Sequence, residues 1–169
     1  MERIVIVGPS GSGKSTLCRT LSDKLDIPVI HLDSLFFKSG WIEIEKEELI
    51  EKVTQIIAVN EKWIIEGNYS PTLPIRLEHC DQAIFLDYPR FLYFFRAVKR
   101  SFKYYGHTRP DMAEGCSERF DFSFFKYVWH FPERRGKLVS TLHAYSTDKT
   151  NIVILKNTRE LKRYLDTIN

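Results

Sequence analysis

The first residues whose types and spacing suggest chemistry form a glycine-rich stretch that ends in a lysine and two hydroxyl residues. Residues 8–16 read Gly-Pro-Ser-Gly-Ser-Gly-Lys-Ser-Thr, which satisfies the pattern G-x-x-x-x-G-K-[ST]. Glycines allow a tight turn in which backbone N–H groups converge on an anion, and the lysine adds positive charge beside them. The pattern therefore predicts a polyphosphate site. Its predicted binding residues are Gly8, Ser10, Gly11, Ser12, Gly13, Lys14, Ser15 and Thr16.

The side chains at the end of this loop have separate predicted roles. Lys14 should reach the β- and γ-phosphates of ATP, Ser15 should ligate Mg²⁺, and Thr16 could contact the α-phosphate. ATP and Mg²⁺ are therefore the predicted cofactors. The alternative is a glycine-rich turn with an exposed lysine, but a predicted strand before the loop and a predicted helix after it favour the nucleotide site.

A carboxylate follows the second predicted strand. Asp33 comes directly after the apolar run Pro28–Leu32, and open parallel sheets bind ligands beyond the carboxyl ends of their strands. Asp33 could orient or deprotonate a hydroxyl group that receives a phosphoryl group. The alternative is that its side chain caps the turn that begins at Ser34. Both interpretations stay open at this point.

A basic helix is predicted from Arg90 to Tyr105. Its helical period places one set of apolar residues on one side and a basic set on the other. We expect the apolar set to face the core: Phe91, Phe94, Phe95, Val98 and Phe102. The opposite set is Arg96, Lys99, Arg100 and Lys103. Between Pro89 and Pro110 there are six Lys or Arg and no Asp or Glu. A solvated helix face normally mixes the two signs of charge, so this one indicates an anionic partner.

The remaining elements alternate between strands and helices. Five apolar runs predict buried parallel strands, at 4–7, 28–32, 63–65, 83–86 and 152–155. Helical periodicity follows the first strand and recurs at 47–59, at 90–105 and at the C-terminal end. This alternation predicts an α/β fold with helices on both faces of a parallel sheet. The aromatic series between Phe120 and Phe131 could stack on bases, but we expect most of it to pack in the core.

Composition limits the broad class of protein. A chain of 169 residues with 43% apolar residues fits one domain with its own core. Three distant cysteines and an N-terminal apolar run of only four residues favour a reducing, cytoplasmic location without a membrane segment. A net charge of +3 makes nucleic acid only a weak candidate partner.

Several further stretches resemble the family of DNA topology modulation proteins (FlaR-like), which is itself similar to adenylate and shikimate kinases. The resemblance spans nearly the whole chain, and the stretch Thr108–Cys116 is its most specific part. The other stretches are His31–Asp33, Gly40–Trp41, Trp63–Tyr69 and Phe85–Arg90. The resemblance implies a P-loop NTPase of nucleotide-kinase type, with a five-stranded parallel sheet of order 2-3-1-4-5 and a short lid. It implies an acceptor-binding insertion at 33–60 and a lid at 106–119 within the single domain 1–169.

The same resemblance implies roles for individual residues. Glu66 lies where similar kinases hold Mg²⁺ through water, and the alternative is a simple solvated surface carboxylate. Asp87 is the competing carboxylate, and for Asp87 the alternative is capping of the following helix. Arg96 and Arg100 lie where arginines contact the ATP base and phosphates, and Arg109 of the lid should contact the transferring phosphoryl group. Arg119 of the lid could join Arg109 at the phosphoryl group. One of Arg134 and Arg135 should bind phosphate, and Arg135 is the one predicted to be catalytic. Asn157 should lie near the adenine. Arg76 could contact an anionic acceptor or form an exposed ion pair.

Together these patterns predict an ATP-dependent phosphotransferase with a small acceptor, such as a nucleoside or nucleotide. The residues predicted to be catalytic are Lys14, Asp33, Arg96, Arg100, Arg109 and Arg135. The alternative is an ATP-binding regulator of DNA topology that contacts nucleic acid. The identity of the acceptor and the oligomeric state do not follow from the sequence.

Overall fold

Parallel strands built from the predicted apolar runs form the centre of the molecule. The computed structural model describes residues 1–146 and 150–168. Its strands are β1 (Arg3–Val7), β2 (Val29–His31), β3 (Phe37–Lys38), β4 (Ile42–Glu43), β5 (Trp63–Glu66), β6 (Gln82–Leu86) and β7 (Asn151–Leu155). Five of them form one parallel sheet in the order β2-β5-β1-β6-β7. Counted within this sheet, the order is 2-3-1-4-5, so the predicted topology is confirmed.

The helices connect these strands and cover the sheet. They are α1 (Lys14–Leu25), α2 (Leu32–Phe36), α3 (Lys46–Val59), α4 (Leu73–His79), α5 (Arg90–Lys103), α6 (Phe122–Trp129), α7 (Phe131–Ala144) and α8 (Thr158–Asp166). The strands β1, β5 and β6 are almost wholly buried because helices lie on both sides of them. None of the helices in the two described ranges is both long enough and apolar enough to cross a membrane.

The register of the sheet decides which residues meet at its carboxyl edge. His31 is level with Glu66, and Ile6 is also level with Glu66, while Val7 is level with Phe85. The loop after β1 therefore begins beside the ends of β2, β5 and β6, where ligands bind in open parallel sheets.

Part of the region 33–60 folds in a way that the sequence patterns did not predict. The short helix α2 leads into an antiparallel hairpin of β3 and β4, which pair Phe37 with Glu43 and Lys38 with Ile42. We call residues 37–43 the acceptor hairpin, after the predicted acceptor-binding insertion at 33–60 that contains them. Trp41 at its turn has a φ of 64°, an unusual conformation for a large side chain. Two-residue strands are too short to leave an alternating pattern in the sequence.

The prediction for the apolar face of α5 is wrong for Phe91, Phe95 and Phe102, which are exposed, whereas Phe94 and Val98 are half-buried. The buried residues of this helix are Tyr93, Ala97 and Ser101, whereas Phe91 and Phe95 are 74% and 76% exposed. Helical periodicity separates two faces but does not say which one meets the core. Here the face with Tyr93, Ala97 and Ser101 meets the core, because the loop after β1 packs against the helix backbone. A Cβ on Gly11 would lie 2.1 Å from the Tyr93 carbonyl oxygen.

The aromatic series at 120–131 is only partly in the core. Phe125 and Phe131 are buried, but Phe122 is 81% exposed, and Phe120 and Tyr127 are exposed as well. The prediction that most of the series is core is therefore wrong for about half of its members. The three cysteines are free and buried, in agreement with the expectation that they form no disulfide framework.

Candidate active site

The predicted phosphate-binding loop lies between β1 and α1, with Lys14 as the first helical residue. Gly11 and Gly13 have φ values of 83° and 97°, so the loop uses conformations that favour glycine. The Lys14 ammonium group donates to the Pro9 carbonyl oxygen at 3.3 Å and folds back over its own loop. Thr16 lies on the exposed side of α1. This geometry is that of a strand, an anion-binding loop and a helix N-terminus in succession.

Asn68 fastens the start of this loop to the end of β5. Its side-chain amide donates to the Gly8 carbonyl oxygen at 2.8 Å, and its Oδ1 accepts from the Gly8 backbone N–H at 2.9 Å. Asn68 was not predicted as a site residue. Its position two residues after a buried strand, at the edge of the sheet where ligands bind, is consistent with a site residue. Nothing in the sequence, however, shows that Asn68 forms hydrogen bonds with Gly8.

Ser15 and Glu66, the predicted metal ligands, are brought together. The Ser15 hydroxyl lies 3.2 Å from Glu66 Oε1, which also contacts His31 Nδ1 at 2.9 Å. Burial opposes ionisation of both groups in this pair, but their hydrogen bond and mutual attraction lower the pKa of Glu66 and raise the pKa of His31. Glu66 Oε2 is buried and has no hydrogen-bond partner among the described residues. A hydroxyl and an ionised carboxylate suit Mg²⁺, which prefers oxygen ligands.

A second carboxylate, which the sequence reasoning did not single out, reaches Ser15 from the lid. Asp111 Oδ2 lies 2.9 Å from the Ser15 hydroxyl and 3.0 Å from Arg109 Nη1. Although burial opposes ionisation, Arg109 and Ser15 lower the pKa of Asp111. The one feature of the sequence that could have identified Asp111 is its position within the stretch Thr108–Cys116, the most specific part of the family resemblance. Within the described ranges no group of three His, Cys, Asp or Glu side chains forms a metal cluster.

Arg109 is held within the lid. Its side chain is only 7% exposed, and its Nε lies 2.8 Å from Glu118 Oε2 while Nη1 bonds Asp111. Glu118 in turn accepts from Ser101 of α5 at 2.7 Å. Arg119 lies at the rim, with its guanidinium 5.8 Å from the centroid of the Trp41 ring system. The role of Arg109 at a phosphoryl group stays a prediction, and it requires these internal ion pairs to open or to be shared.

Asp33 lies in the first turn of α2, two residues after the end of β2 at His31. Its Oδ1 accepts from the Tyr69 hydroxyl at 3.0 Å rather than from a backbone amide of the following turn, so the capping alternative is wrong. Burial and the negative charge of Glu66 raise the pKa of Asp33. Phe36 packs on Tyr69 with ring centroids 4.6 Å apart, and Phe37 packs on Trp41 at 5.2 Å. Asp33 therefore lies beside Tyr69, the first of a row of aromatic rings that continues through Phe36 and Phe37 to Trp41.

Both interpretations of Arg76 are wrong. Its side chain is completely buried and donates to three backbone carbonyl groups, those of Gly67, Tyr69 and Thr72. Burial lowers the pKa of Arg76 to about 9. Instead of contacting an anionic acceptor, Arg76 shapes the loop that carries Asn68 and Tyr69. This role could not be predicted, because the sequence does not reveal that three backbone carbonyl groups surround Arg76.

The two arginines of α5 lie in different environments. Arg100 reaches the phosphate-binding loop, where its Nη2 donates to the Ser10 hydroxyl at 2.9 Å, and its Nε is buried without a hydrogen-bond partner in the described part of the chain. The Arg96 guanidinium lies 5.7 Å from the Tyr88 ring centroid. Arg100 thus lies beside the phosphate-binding loop, as its predicted contact with phosphate requires. For Arg96 the structure shows a contact with Tyr88, and its contact with ATP stays a prediction.

Arg135 and Asp87 form a two-point ion pair. Arg135 Nε and Nη2 lie 2.7 Å and 2.6 Å from the two carboxylate oxygens of Asp87. The capping alternative for Asp87 is wrong, because α5 begins at Arg90 without a side-chain cap. Arg134 instead donates to the Tyr127 carbonyl oxygen and stacks on the Tyr127 ring. The predicted phosphate role of Arg135 would have to compete with Asp87.

The Asn157 side chain caps α8. Its Oδ1 accepts from the Glu160 backbone N–H at 2.9 Å, and its amide donates to Glu160 Oε1 at 2.7 Å. Asn157 is thus the side-chain N-cap of α8, and Glu160 also accepts from the Lys156 backbone N–H at 2.7 Å. A contact with adenine would therefore use the backbone of this segment, and it stays a prediction.

The predicted lid, residues 106–119, packs against the acceptor hairpin. The Gly40 N–H donates to the Gly115 carbonyl oxygen at 3.2 Å, and Trp41 Nε1 donates to the Ser117 carbonyl oxygen at 2.9 Å. The Cys116 thiol donates to the Lys38 carbonyl oxygen at 3.3 Å. The segment 106–119 thus spans from the hairpin to Ser15, and it brings Asp111 and Arg109 over the phosphate-binding loop.

Comparison with solved structures identifies the fold. The chain is similar to a shikimate kinase from Acinetobacter baumannii in complex with shikimate, with a TM-score of 0.62, 14% identity and coverage of 99% of this chain and 90% of that one. It is similar to a gluconokinase from Sinorhizobium meliloti 1021, with a TM-score of 0.52, 16% identity and coverage of 98% and 91%. It is also similar to a deoxyadenosine kinase from M. mycoides with bound dATP, with a TM-score of 0.50, 14% identity and full coverage of both chains.

These identities establish the fold, that of the P-loop kinases, and no more than the fold. A family model described as "AAA domain" matches residues 4–101, which is more than half of the chain and includes the phosphate-binding loop, Glu66 and α5 as far as Ser101. By this match, the chain belongs to the AAA domain family.

Proposed function

We propose that this protein is a P-loop kinase that transfers the γ-phosphoryl group of ATP to a small hydroxyl compound or nucleotide. The observation that carries the proposal is the position of Ser15, at the end of the phosphate-binding loop and within 3.2 Å of the buried Glu66. A magnesium–nucleotide complex is the ligand that a glycine-rich loop, a lysine, a hydroxyl and a carboxylate fit together. The similarity to kinases of small molecules supports the same proposal.

Each group of site residues would have a separate role in phosphoryl transfer. The loop amides and Lys14 bind the phosphates, and Arg100 beside Ser10 adds charge near them. Ser15 and Glu66 hold Mg²⁺, which neutralises phosphate charge when it is bound. Asp33, whose raised pKa suits a base, accepts the proton of a hydroxyl acceptor. The lid at 106–119 excludes water and so suppresses hydrolysis.

The division of the domain belongs to the same proposal. Residues 33–60 contain Asp33, the acceptor hairpin and α3, and they form the acceptor-binding insertion of the single domain. The aromatic side chains beside Asp33 would contact the flat or apolar part of the acceptor. The resemblance to DNA topology modulation proteins is compatible with such an enzyme, because an effect on topology in a cell need not involve contact with DNA.

Phosphoryl transfer in a Lys14→Ala variant tests the proposal. Radiolabelled ATP is offered with a panel of sugars, nucleosides and nucleotides, and the acceptors that gain label are identified. The Lys14→Ala variant should transfer phosphate at least about a hundredfold more slowly than the parent, since it loses a charge that binds the transferred group. Lys162→Ala, which removes the same charge from the exposed face of α8, is the control. Equal rates in the parent and Lys14→Ala would contradict the proposal.

A second candidate function follows from one exposed surface, which we call the α5–α6 face. It contains the exposed rings of Phe91, Phe95, Phe102, Phe120 and Phe122 together with Arg90, Lys99, Lys103 and Lys126. Phe102 contacts Phe120 with ring centroids 5.1 Å apart, and Phe120 contacts Phe122 at 5.8 Å, so part of the surface is continuous. Aromatic rings among cations suit single-stranded nucleic acid, whose bases stack and whose phosphates attract cations.

Binding of a fluorescent single-stranded oligonucleotide tests this second candidate. We expect the affinity to fall with added salt and to fall further in a Phe95→Ser, Phe122→Ser double variant, while excess ATP leaves it unchanged. Complete displacement of the oligonucleotide by ATP would show that it occupied only the phosphate-binding loop, and the second candidate would then fail.

A further inference from the structure

The Ser15 hydroxyl lies between two carboxylates that come from distant parts of the chain. Glu66 Oε1 lies at 3.2 Å and belongs to the sheet, whereas Asp111 Oδ2 lies at 2.9 Å and belongs to the lid. A hydroxyl has one proton and can donate to only one of the two oxygens at a time. The other carboxylate therefore faces the hydroxyl oxygen without a proton between them.

Two features of this arrangement point to a cation. First, the surroundings of Glu66 and Asp111 favour their ionised forms, so two negative charges converge on Ser15. Second, Glu66 is 4% exposed and its Oε2 has no hydrogen-bond partner among the described residues. A buried carboxylate oxygen without a donor is costly unless a ligand completes it. His31 and Arg109 each offset one charge at the oxygens that also face Ser15, Glu66 Oε1 and Asp111 Oδ2, and they leave Glu66 Oε2 without a hydrogen-bond donor among the described residues.

We propose that Asp111 is the contribution of the lid to the Mg²⁺ site at Ser15 and Glu66, so that bound metal holds the lid closed over the acceptor hairpin. The inference rests on the proposed function, since the metal would arrive with the nucleotide. Asp111 would contact the metal directly or through one of the waters that Mg²⁺ retains.

The contacts of the lid explain what this would achieve. Four to six residues after Asp111, the backbone at Gly115 and Ser117 accepts hydrogen bonds from Gly40 and Trp41 of the acceptor hairpin. A Cβ on Gly115 would lie 2.1 Å from the Ser39 hydroxyl oxygen, so the two backbones are in close contact. A metal ion that attracts Asp111 would thereby close the acceptor site as well. Asp111 is thus a positioning residue that links arrival of metal–nucleotide to assembly of the acceptor site.

Magnesium titration of the full chain with a nonhydrolysable ATP analogue tests the inference without relying on turnover. Two quantities are measured: the Mg²⁺ dependence of analogue affinity by calorimetry, and the fluorescence change of Trp41, assigned with a Trp41→Phe variant. In Asp111→Asn the Mg²⁺ midpoint should weaken about tenfold or more and the Trp41 signal should be lost, while affinity without Mg²⁺ stays within about twofold of the parent. Asparagine keeps an acceptor for Ser15 and Arg109, so only the charge changes.

Two further variants complete the design. Glu114→Gln removes the same charge from an exposed position in the same lid and should behave as the parent. Asp111→Glu restores the charge and should regain part of the Mg²⁺ affinity. The same Mg²⁺ midpoint and Trp41 signal in Asp111→Asn and the parent would overturn the inference, and so would an Asp111→Glu variant no tighter for Mg²⁺ than Asp111→Asn. Absence of analogue binding by the parent would instead contradict the proposed function.

Discussion

Individual side chains in this protein are placed by polar contacts between residues far apart in the sequence. Lys14, Ser15 and Glu66 could be predicted because motif and position at a strand end restrict their surroundings. Asn68, Arg76 and Asp111 could not be predicted as they are, because their partners are backbone groups or side chains from other elements. Arg76 illustrates the limit: an arginine in sequence suggests an anion, yet here three carbonyl groups surround it.

Asn68 offers a direct test of how the phosphate-binding loop is held. An Asn68→Ala variant loses both hydrogen bonds to Gly8 and leaves its buried backbone groups without partners. We expect a loss of about 1–3 kcal/mol in the free energy of unfolding, measured by urea titration, together with weaker nucleotide binding. Asn151→Ala, at an exposed position of β7, is the matched control. An unfolding midpoint and nucleotide affinity equal to those of the parent would show that Asn68 does not support the loop.

Asp33 should reduce the stability of the fold at neutral pH. The pKa of Asp33 is raised in the folded state, so the folded protein binds the carboxyl proton more tightly than the unfolded chain does. The folded state therefore loses stability as the pH rises above the pKa of Asp in the unfolded chain, about 3.9. Asp33→Asn keeps an acceptor for Tyr69 but removes the charge. The variant should therefore unfold at higher urea than the parent at pH 7, and its advantage should shrink as pH falls toward 4.

The control for Asp33 is Asp23→Asn, at an exposed position of α1. It should show no such pH-dependent gain. If Asp33→Asn were less stable than the parent at pH 7, or if its advantage grew toward acid pH, the raised pKa of Asp33 would be wrong. A gain in stability with a loss of phosphoryl transfer would be the combination typical of a charged group retained for catalysis.

Secondary structure elements were predictable to different degrees, depending on how far they are buried. The five strands of the sheet could be read from β-branched runs, and their order followed from the family resemblance. The acceptor hairpin could not, since two-residue strands leave no pattern. The sequence also did not show which face of α5 is buried. Tyr93, Ala97 and Ser101 are buried because the loop after β1 packs against this helix in the folded chain.

The contact between lid and acceptor hairpin can be tested at one glycine. Gly115 has a φ of +77°, and a Cβ there would lie 2.1 Å from the Ser39 hydroxyl oxygen. Gly115→Ala should separate the lid from the hairpin and increase protease cleavage within residues 106–119. Gly106→Ala is a matched control, because Gly106 has a φ of +75° but an added Cβ meets nothing within 4 Å.

Both glycine variants strain the backbone to a similar extent, so their difference isolates the clash with Ser39. Adding Ser39→Gly to Gly115→Ala should restore part of the protection. Equal cleavage of the lid in the Gly115→Ala and Gly106→Ala variants would contradict the packing of the lid on the hairpin.

The whole molecule joins three parts around the carboxyl edge of one sheet: the glycine-rich loop that we propose binds phosphates, the hairpin at 37–43, and the segment 106–119, which contacts both. The fold is that of P-loop kinases. The sequence contained enough to predict the sheet and the phosphate-binding loop, because both depend on local patterns. The contact between Asp111 and Ser15 joins residues 96 positions apart and could be seen only in the folded chain.

Hydrogen exchange of the backbone amides, with and without a nonhydrolysable ATP analogue and Mg²⁺, tests the central claim most directly. The account predicts that the amides of residues 8–16 become strongly protected when the analogue binds, and that Lys14→Ala abolishes this protection at the same analogue concentration. Protection confined to other parts of the molecule, with exchange at residues 8–16 unchanged in the parent, would contradict it.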